Sequence, residues 1–170
     1  MIWSIKCLGA CSLVAVAAIF GFFYAWVCST MWGLDAVDPR IAIPAMQSMN
    51  ASVRNAVFAP AFFGTPVILV VASIVALAGG HRTFAFPVAL AAVVYVLGAF
   101  WPTFAISVPM NEALARIAVP DTREAAGAIW TAYSPRWQFW NMVRTMCSGV
   151  AVLLVGAGLF RFGRSAALAA

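Results

Sequence analysis

Ser134-Pro135-Arg136-Trp137-Gln138-Phe139-Trp140-Asn141-Met142-Val143-Arg144 opens the last of four long apolar segments in this chain. Ser134 suits the cap of a helix and Pro135 its first turn. Trp137, Trp140, Asn141 and Arg144 recur at i, i+3, i+4 and i+7. That spacing puts two indoles, an amide and a guanidinium on one helix face. At 1.5 Å per residue, Arg144 lies about 10 Å beyond Trp137 along the helix. With Trp137 at a membrane interface, Arg144 falls inside the hydrocarbon layer. A charge there is costly, so it is expected to face the bundle or a polar cavity and to have a partner.

Composition agrees with that setting. The chain has 170 residues, 65% of them hydrophobic and 9% charged, with a mean hydropathy of +0.98. Soluble domains are nearer half apolar and about a quarter charged. An integral membrane protein follows, with 1–170 as a single domain and the lipid bilayer as its first partner. The net charge of +5 is spread without a dense basic run, which argues against nucleic-acid binding. Cys7, Cys11, Cys28 and Cys147 all fall in apolar runs and form no Cys-x-x-Cys pair, against a thiol oxidoreductase. The single histidine, His81, sits in a short turn. No haem, histidine-bound metal or dinucleotide loop is expected, and no cofactor.

The expected fold is all-α: a four-transmembrane-helix bundle with two short cap or interfacial helices in its long loops. The spans are read at about 7–32, 57–79, 84–108 and 137–160. Ala17, Gly21, Ala25 and Ser29 repeat every fourth residue of the first span, a ladder that lets another helix come close. Tyr24 is a candidate to point a hydroxyl into a central cavity. A first short helix is expected over 45–54, with Met46, Asn50 and Val53 on one face. Pro66 predicts a kink in the second span and a carbonyl freed one turn earlier. Pro109 is expected to end the third span, just before Asn111 and Glu112. Asp121, with Glu124 three residues on, resembles the start of a second short helix over 122–133 that carries Trp130 and Tyr133. Antiparallel connection then brings Glu112 and Arg144 toward the same side, as possible partners. Basic residues cluster more densely in the tails and the 79–83 turn, which favours both termini in the cytoplasm of a multi-pass cell-membrane protein.

Val108-Pro109-Met110-Asn111-Glu112-Ala113-Leu114, followed by Arg136-Trp137 and Trp140-Asn141-x-x-Arg144-Thr145, resembles a bacterial four-helix membrane family related to the anthrone oxygenases. Pro44-Ala45-Met46-Gln47-Ser48-Met49-Asn50 and Phe62-Phe63-Gly64 are similar as well. The likeness runs from the first span to the fourth. It implies cofactor-free oxidation of anthrones to anthraquinones by dioxygen, on a small lipophilic substrate. That chemistry needs a base, oxyanion donors and a flat apolar slot. Glu112 is the candidate base. Arg144, Asn111 and Asn141 are the candidate oxyanion donors. Trp137, Trp140 and Trp130 are candidates for the slot, with Asn50 and Tyr24 as further binding residues. The competing reading is a non-catalytic membrane protein that binds a lipophilic molecule or scaffolds a membrane complex. Transport is disfavoured, because there is no inverted repeat and only one strong intramembrane charge. The sequence fixes no oligomeric state.

Overall fold

The computed structural model of the chain describes residues 2–168, with side chains described over 2–164. It contains five helices and no strand among the described residues. These are α1 (Ile2–Ala36), α2 (Pro39–Ser52), α3 (Phe58–Ala78), α4 (Arg82–Ala115) and α5 (Arg123–Leu168). Four of them, α1, α3, α4 and α5, are long and apolar enough to cross a membrane. They form a ring in which α1 packs on α3 and α5, and α4 packs on the same two helices. The large apolar side chains on the outside, such as Val67, Ile74, Leu90, Leu97, Met146 and Leu153, present the bundle to lipid. This is an all-helical multi-pass membrane protein.

Several boundaries differ from the sequence reading, each for a physical reason. Ser134 and Pro135 do not start a helix. They lie inside α5, which runs unbroken for 46 residues, about 70 Å. The helical stretch expected over 122–133 is therefore the first part of α5 rather than a separate piece. Pro135 is tolerated because it and Thr131, whose carbonyl it leaves free, both sit on the exposed side. The cap is Thr122 rather than Asp121: Thr122 Oγ1 accepts from the Ala125 N–H at 3.3 Å. The Asp121 carbonyl instead accepts from Arg40 Nη1 at 3.2 Å. The first short helix begins at Pro39, earlier than expected, because Asp38 caps it through the Arg40 N–H at 2.9 Å. The Arg40 side chain, followed by its N–H, holds the Asp38 carboxyl at about 2. The contribution of this cap is therefore complete above the usual value of 3.8 and fades as pH falls from there through about 2.

α4 passes through Pro102 and Pro109 instead of ending at the second. It does so by widening into π-helical turns at Val96–Phe100 and Thr103–Ser107. The Trp101 N–H reaches back to Val96 and the Val108 N–H to Thr103. The wider ladder relieves the clash each proline ring would make one turn earlier. α1 carries a third π turn at Trp26–Thr30. Single π turns of this kind cluster at functional sites.

The Pro66 expectation holds in its chemical detail. The Phe62 carbonyl, which Pro66 cannot satisfy, accepts from the buried Tyr95 hydroxyl at 3.1 Å. Tyr95→Phe should lower stability by about 1–3 kcal/mol, the cost of an unpaired buried carbonyl. Adding Pro66→Ala should recover part of the loss, because an N–H is returned to Phe62. Thermal melts of the two single variants and the double variant in detergent check this.

The expected small-residue ladder does not pack inside the chain. Ala17, Gly21, Ala25 and Ser29 are all exposed. The face of α1 that meets the bundle is Ile5, Gly9, Ser12, Val16, Ile19 and Phe23. A close approach of α4 and α5 does occur at Gly98, whose hydrogen faces the Cys147 side chain with no room for a Cβ.

Two apolar cores result. The larger one runs through the bundle around Phe62, Leu69, Phe84, Ala91, Tyr95 and Val155. The smaller one, around Met31, Ile43, Met46, Leu114, Trp130 and Trp137, seats α2 against the ends of α1, α4 and α5. Gln47 fastens α2 to the end of α4 by donating to the Leu114 and Ile117 carbonyls at 2.9 and 3.0 Å.

Candidate functional site

A cavity of about 630 Å³ opens at the seam between the two cores. All four spans and the loop that follows α2 contribute to it. Its walls are aromatic: Phe22, Phe23 and Trp26 from α1, Phe58 and Phe62 from α3, and Trp137 from α5. Phe58 and Phe62 stack at 5.4 Å between ring centroids, and Trp26 lies 5.0 Å from Trp137. The size and lining suit a drug-sized apolar ligand.

Arg144 lines this cavity and is 5% exposed. No carboxylate pairs with it among the described residues. Its charge is offset by neutral groups instead. Nη2 donates to Asn141 Oδ1 at 3.1 Å and Nη1 to Thr103 Oγ1 at 3.4 Å. The guanidinium carbon lies 4.7 Å from the Phe23 ring centroid and 5.3 Å from that of Trp137. Such contacts contribute about 0.5–2 kcal/mol each. Nε is buried and has no partner among the described residues. The Ser107 hydroxyl, on the same cavity wall, is also buried without a partner. Asn141 is oriented from below: its Nδ2 donates to the Phe23 carbonyl at 3.0 Å, which leaves its oxygen toward Arg144.

A second chain of hydrogen bonds fixes the upper wall. An indole N–H can only donate, so Trp137 Nε1, 3.0 Å from Asn111 Oδ1, makes that oxygen an acceptor. The Tyr133 hydroxyl donates to the same oxygen at 2.8 Å. Its own oxygen then accepts from Asn50 Nδ2 at 3.4 Å. With its carbonyl twice occupied, Asn111 has its amide N–H groups left for a ligand.

Glu112 lines the cavity too, but its ion partner is Arg54, at 3.4 Å, rather than Arg144. Both are exposed, at 46% for the Glu112 side chain and 61% for that of Arg54. The fold thus brings Asn50, Asn111, Glu112, Asn141, Arg144 and Trp137 around one space. It leaves out three other candidates. Tyr24 is 50% exposed on the outer face, stacked on Phe20 at 5.7 Å. Trp140 lies beside Phe139 and away from the cavity. Trp130 is buried in the smaller core, with its N–H given to Asp35 at 2.8 Å.

Thr103, Ser107, Tyr133, Arg54 and the phenylalanine wall were not singled out from the sequence as site residues. Thr103 and Ser107 reach the cavity through a π turn, which leaves no periodic mark. Pro102 was the one available hint of irregular helix there. Phe62 had a signal in the Phe62-Phe63-Gly64 stretch. No group of three or more His, Cys, Asp or Glu side chains converges among the described residues.

Comparison with known proteins adds one finding. Residues 55–154, more than half of the chain, match the family model described as anthrone oxygenase. No curated protein and no solved structure matches the chain.

Proposed function

The chain belongs to the anthrone oxygenase family, and from that premise we propose that its cavity binds a flat phenolic polycycle and oxidises it with dioxygen. The observation that carries this reading is Arg144, a buried guanidinium in an aromatic cavity, with a free Nε and no carboxylate partner among the described residues. A cation kept without a counter-ion in a poorly solvated site favours a ligand that brings, or develops, negative charge.

In the proposed step a base removes a proton from the methylene carbon between two aryl rings. The electron pair spreads onto the carbonyl oxygen opposite. That oxygen becomes an oxyanion held by Arg144 and the Asn111 amide, with Asn141 and Thr103 orienting the guanidinium. Dioxygen takes electrons from the carbanion and a carbon–oxygen bond forms. The resulting hydroperoxide loses water to give the second carbonyl. One CH₂ becomes C=O, one dioxygen is consumed and one water leaves. Glu112 is the proposed base. It is a carboxylate on the cavity wall, and its tie to Arg54 is an exposed ion pair of little strength. Trp137 and the phenylalanine wall form the slot for the rings.

Purified protein offered a panel of anthrones and related phenols should form quinone and consume oxygen. Glu112→Gln should lower turnover by about 10²–10⁴, the usual contribution of a positioned base, with binding nearly unchanged. Turnover indifferent to Glu112→Gln removes that residue as base. Binding without turnover of any panel member would leave a lipophile-binding protein.

A further inference from the structure

Two grooves run into the cavity, and their chemistry differs. One, of about 390 Å³, lies between α1 and α3. It shares Phe22, Trp26, Met49, Val53, Asn55 and Phe58 with the cavity. Its outer part is bordered by Ala18 and Ile19, near the middle of α1, and by Ala61 of α3. Among the described residues, no charged side chain lines it. The other, of about 230 Å³, lies between α2 and α4. It shares Asn50, Arg54, Asn111 and Glu112 with the cavity and is bordered further out by Gln47 and Arg116.

We propose that the groove between α1 and α3 is a lateral portal through which a membrane-dissolved polycycle reaches Arg144, with Phe22 and Phe58 as its gate. This inference rests on the reading of the cavity given above. A flat apolar molecule partitions into the bilayer, and both helices that border this groove are membrane spans. A path through the other groove would take it past the ion pair of Arg54 with Glu112, whose water it would have to displace. Phe22 and Phe58 stand where groove and cavity meet, half-buried, with ring centroids 4.7 Å apart. Small side chains at Ala18 and Ala61 leave the outside open, and the gate we propose is the rotation of these two rings. The lip above is fixed. Asn55 Nδ2 donates to the Ser52 carbonyl at 2.7 Å, and its Oδ1 accepts from the Val57 and Phe58 N–H groups at 2.8 and 2.9 Å. The polar groove is left as the water-side path for the proton that Glu112 would carry away.

The test uses full-length protein in phosphatidylcholine liposomes and a hydroxyanthraquinone as probe, with binding followed by stopped-flow fluorescence. Ala18→Phe and Ala61→Phe, made separately, fill the groove without touching the cavity. Each should slow association and dissociation together by about tenfold, as a gate does, with little change in Kd. Phe58→Ala should speed both. Ala51→Phe and Ala115→Phe, which fill the polar groove, should leave the rates alone. Rates that ignore both groove-filling variants, or that fall only when the polar groove is filled, overturn the portal while the cavity reading stands. Wild-type protein that takes up no probe overturns both.

Discussion

Arg144→Met should weaken binding of an anionic polycycle at least about a hundredfold, the scale of one lost oxyanion donor, while leaving the protein as stable as wild type or more so. The two halves of this result come from the same observation. The guanidinium is 5% exposed and has no carboxylate partner among the described residues. A buried charge of this kind is costly, and the Asn141 and Thr103 oxygens and two aromatic rings offset the cost only in part. Apolar side chains put in place of buried charges are often neutral or stabilising, by about 1–4 kcal/mol. Methionine keeps an unbranched stem for Phe23 and Trp137 to pack on. The expected pairing of Arg144 with Glu112 is not found, since Glu112 is paired with Arg54 near the surface, so removing Arg144 leaves no carboxylate stranded. Arg144→Lys should also lose binding, because an ammonium cannot replace the planar fork that reaches Asn141 and Thr103 together. Ligand titration and a thermal melt on the same preparations check both halves. A large fall in melting temperature with binding intact would make Arg144 a strut.

Asp35→Ala should be among the most destabilising single substitutions outside the bundle interior, by about 3 kcal/mol, since hydrogen bonds to a charged group contribute about 1.5–3 kcal/mol each. Asp35 accepts from Trp130 Nε1 at 2.8 Å, Ser134 Oγ at 2.7 Å and Gln138 Nε2 at 2.8 Å. These three donors lie four residues apart on α5, so a single carboxylate at the end of α1 grips two turns of the longest helix. Trp130 and Ser134 are buried and would be left with unpaired donors. Asp35→Asn should cost much less, about 1 kcal/mol, because its carbonyl still accepts from Trp130 and Ser134 and only the Gln138 contact is lost. Equal losses in the two variants, in denaturant or thermal unfolding, would show that the contacts do not act as described.

Asp35 also shows where the sequence stopped being legible. In sequence it reads as loop punctuation, yet it holds three side chains of α5, the longest helix of the fold. Ser134-Pro135 read as a helix start because a cap residue followed by proline favours one. In the protein, Ser134 gives its hydroxyl to Asp35, and Pro135 lies on an exposed face where the missing hydrogen bond costs little. Trp130 looked like a wall of the slot by type, but its N–H was already committed to the same carboxylate. Tertiary partners of this kind leave no periodic trace. The four spans were legible because a membrane imposes length and apolarity on every one of them. The face of Trp137, Asn141 and Arg144 was legible because α5 keeps ordinary helical spacing there; Trp140, at the edge of that face, points out of it. Thr103 and Ser107 escaped because π turns change the register of α4. The choice of Arg54 over Arg144 as the partner of Glu112 depends on how the loop after α2 folds back, which no local pattern encodes.

Stabilisation by Arg144 of an oxyanion on a ligand held in the cavity is measured most directly as the phenol pKa of a hydroxyanthraquinone bound to the protein in liposomes, read by visible absorption against the same dye in protein-free liposomes. The predicted result is a bound phenol at least about one unit more acidic, equivalent to about 1.4 kcal/mol of preference for the anion, with the difference abolished by Arg144→Met. A bound phenol no more acidic than in lipid alone, or a shift that persists in Arg144→Met, would contradict it.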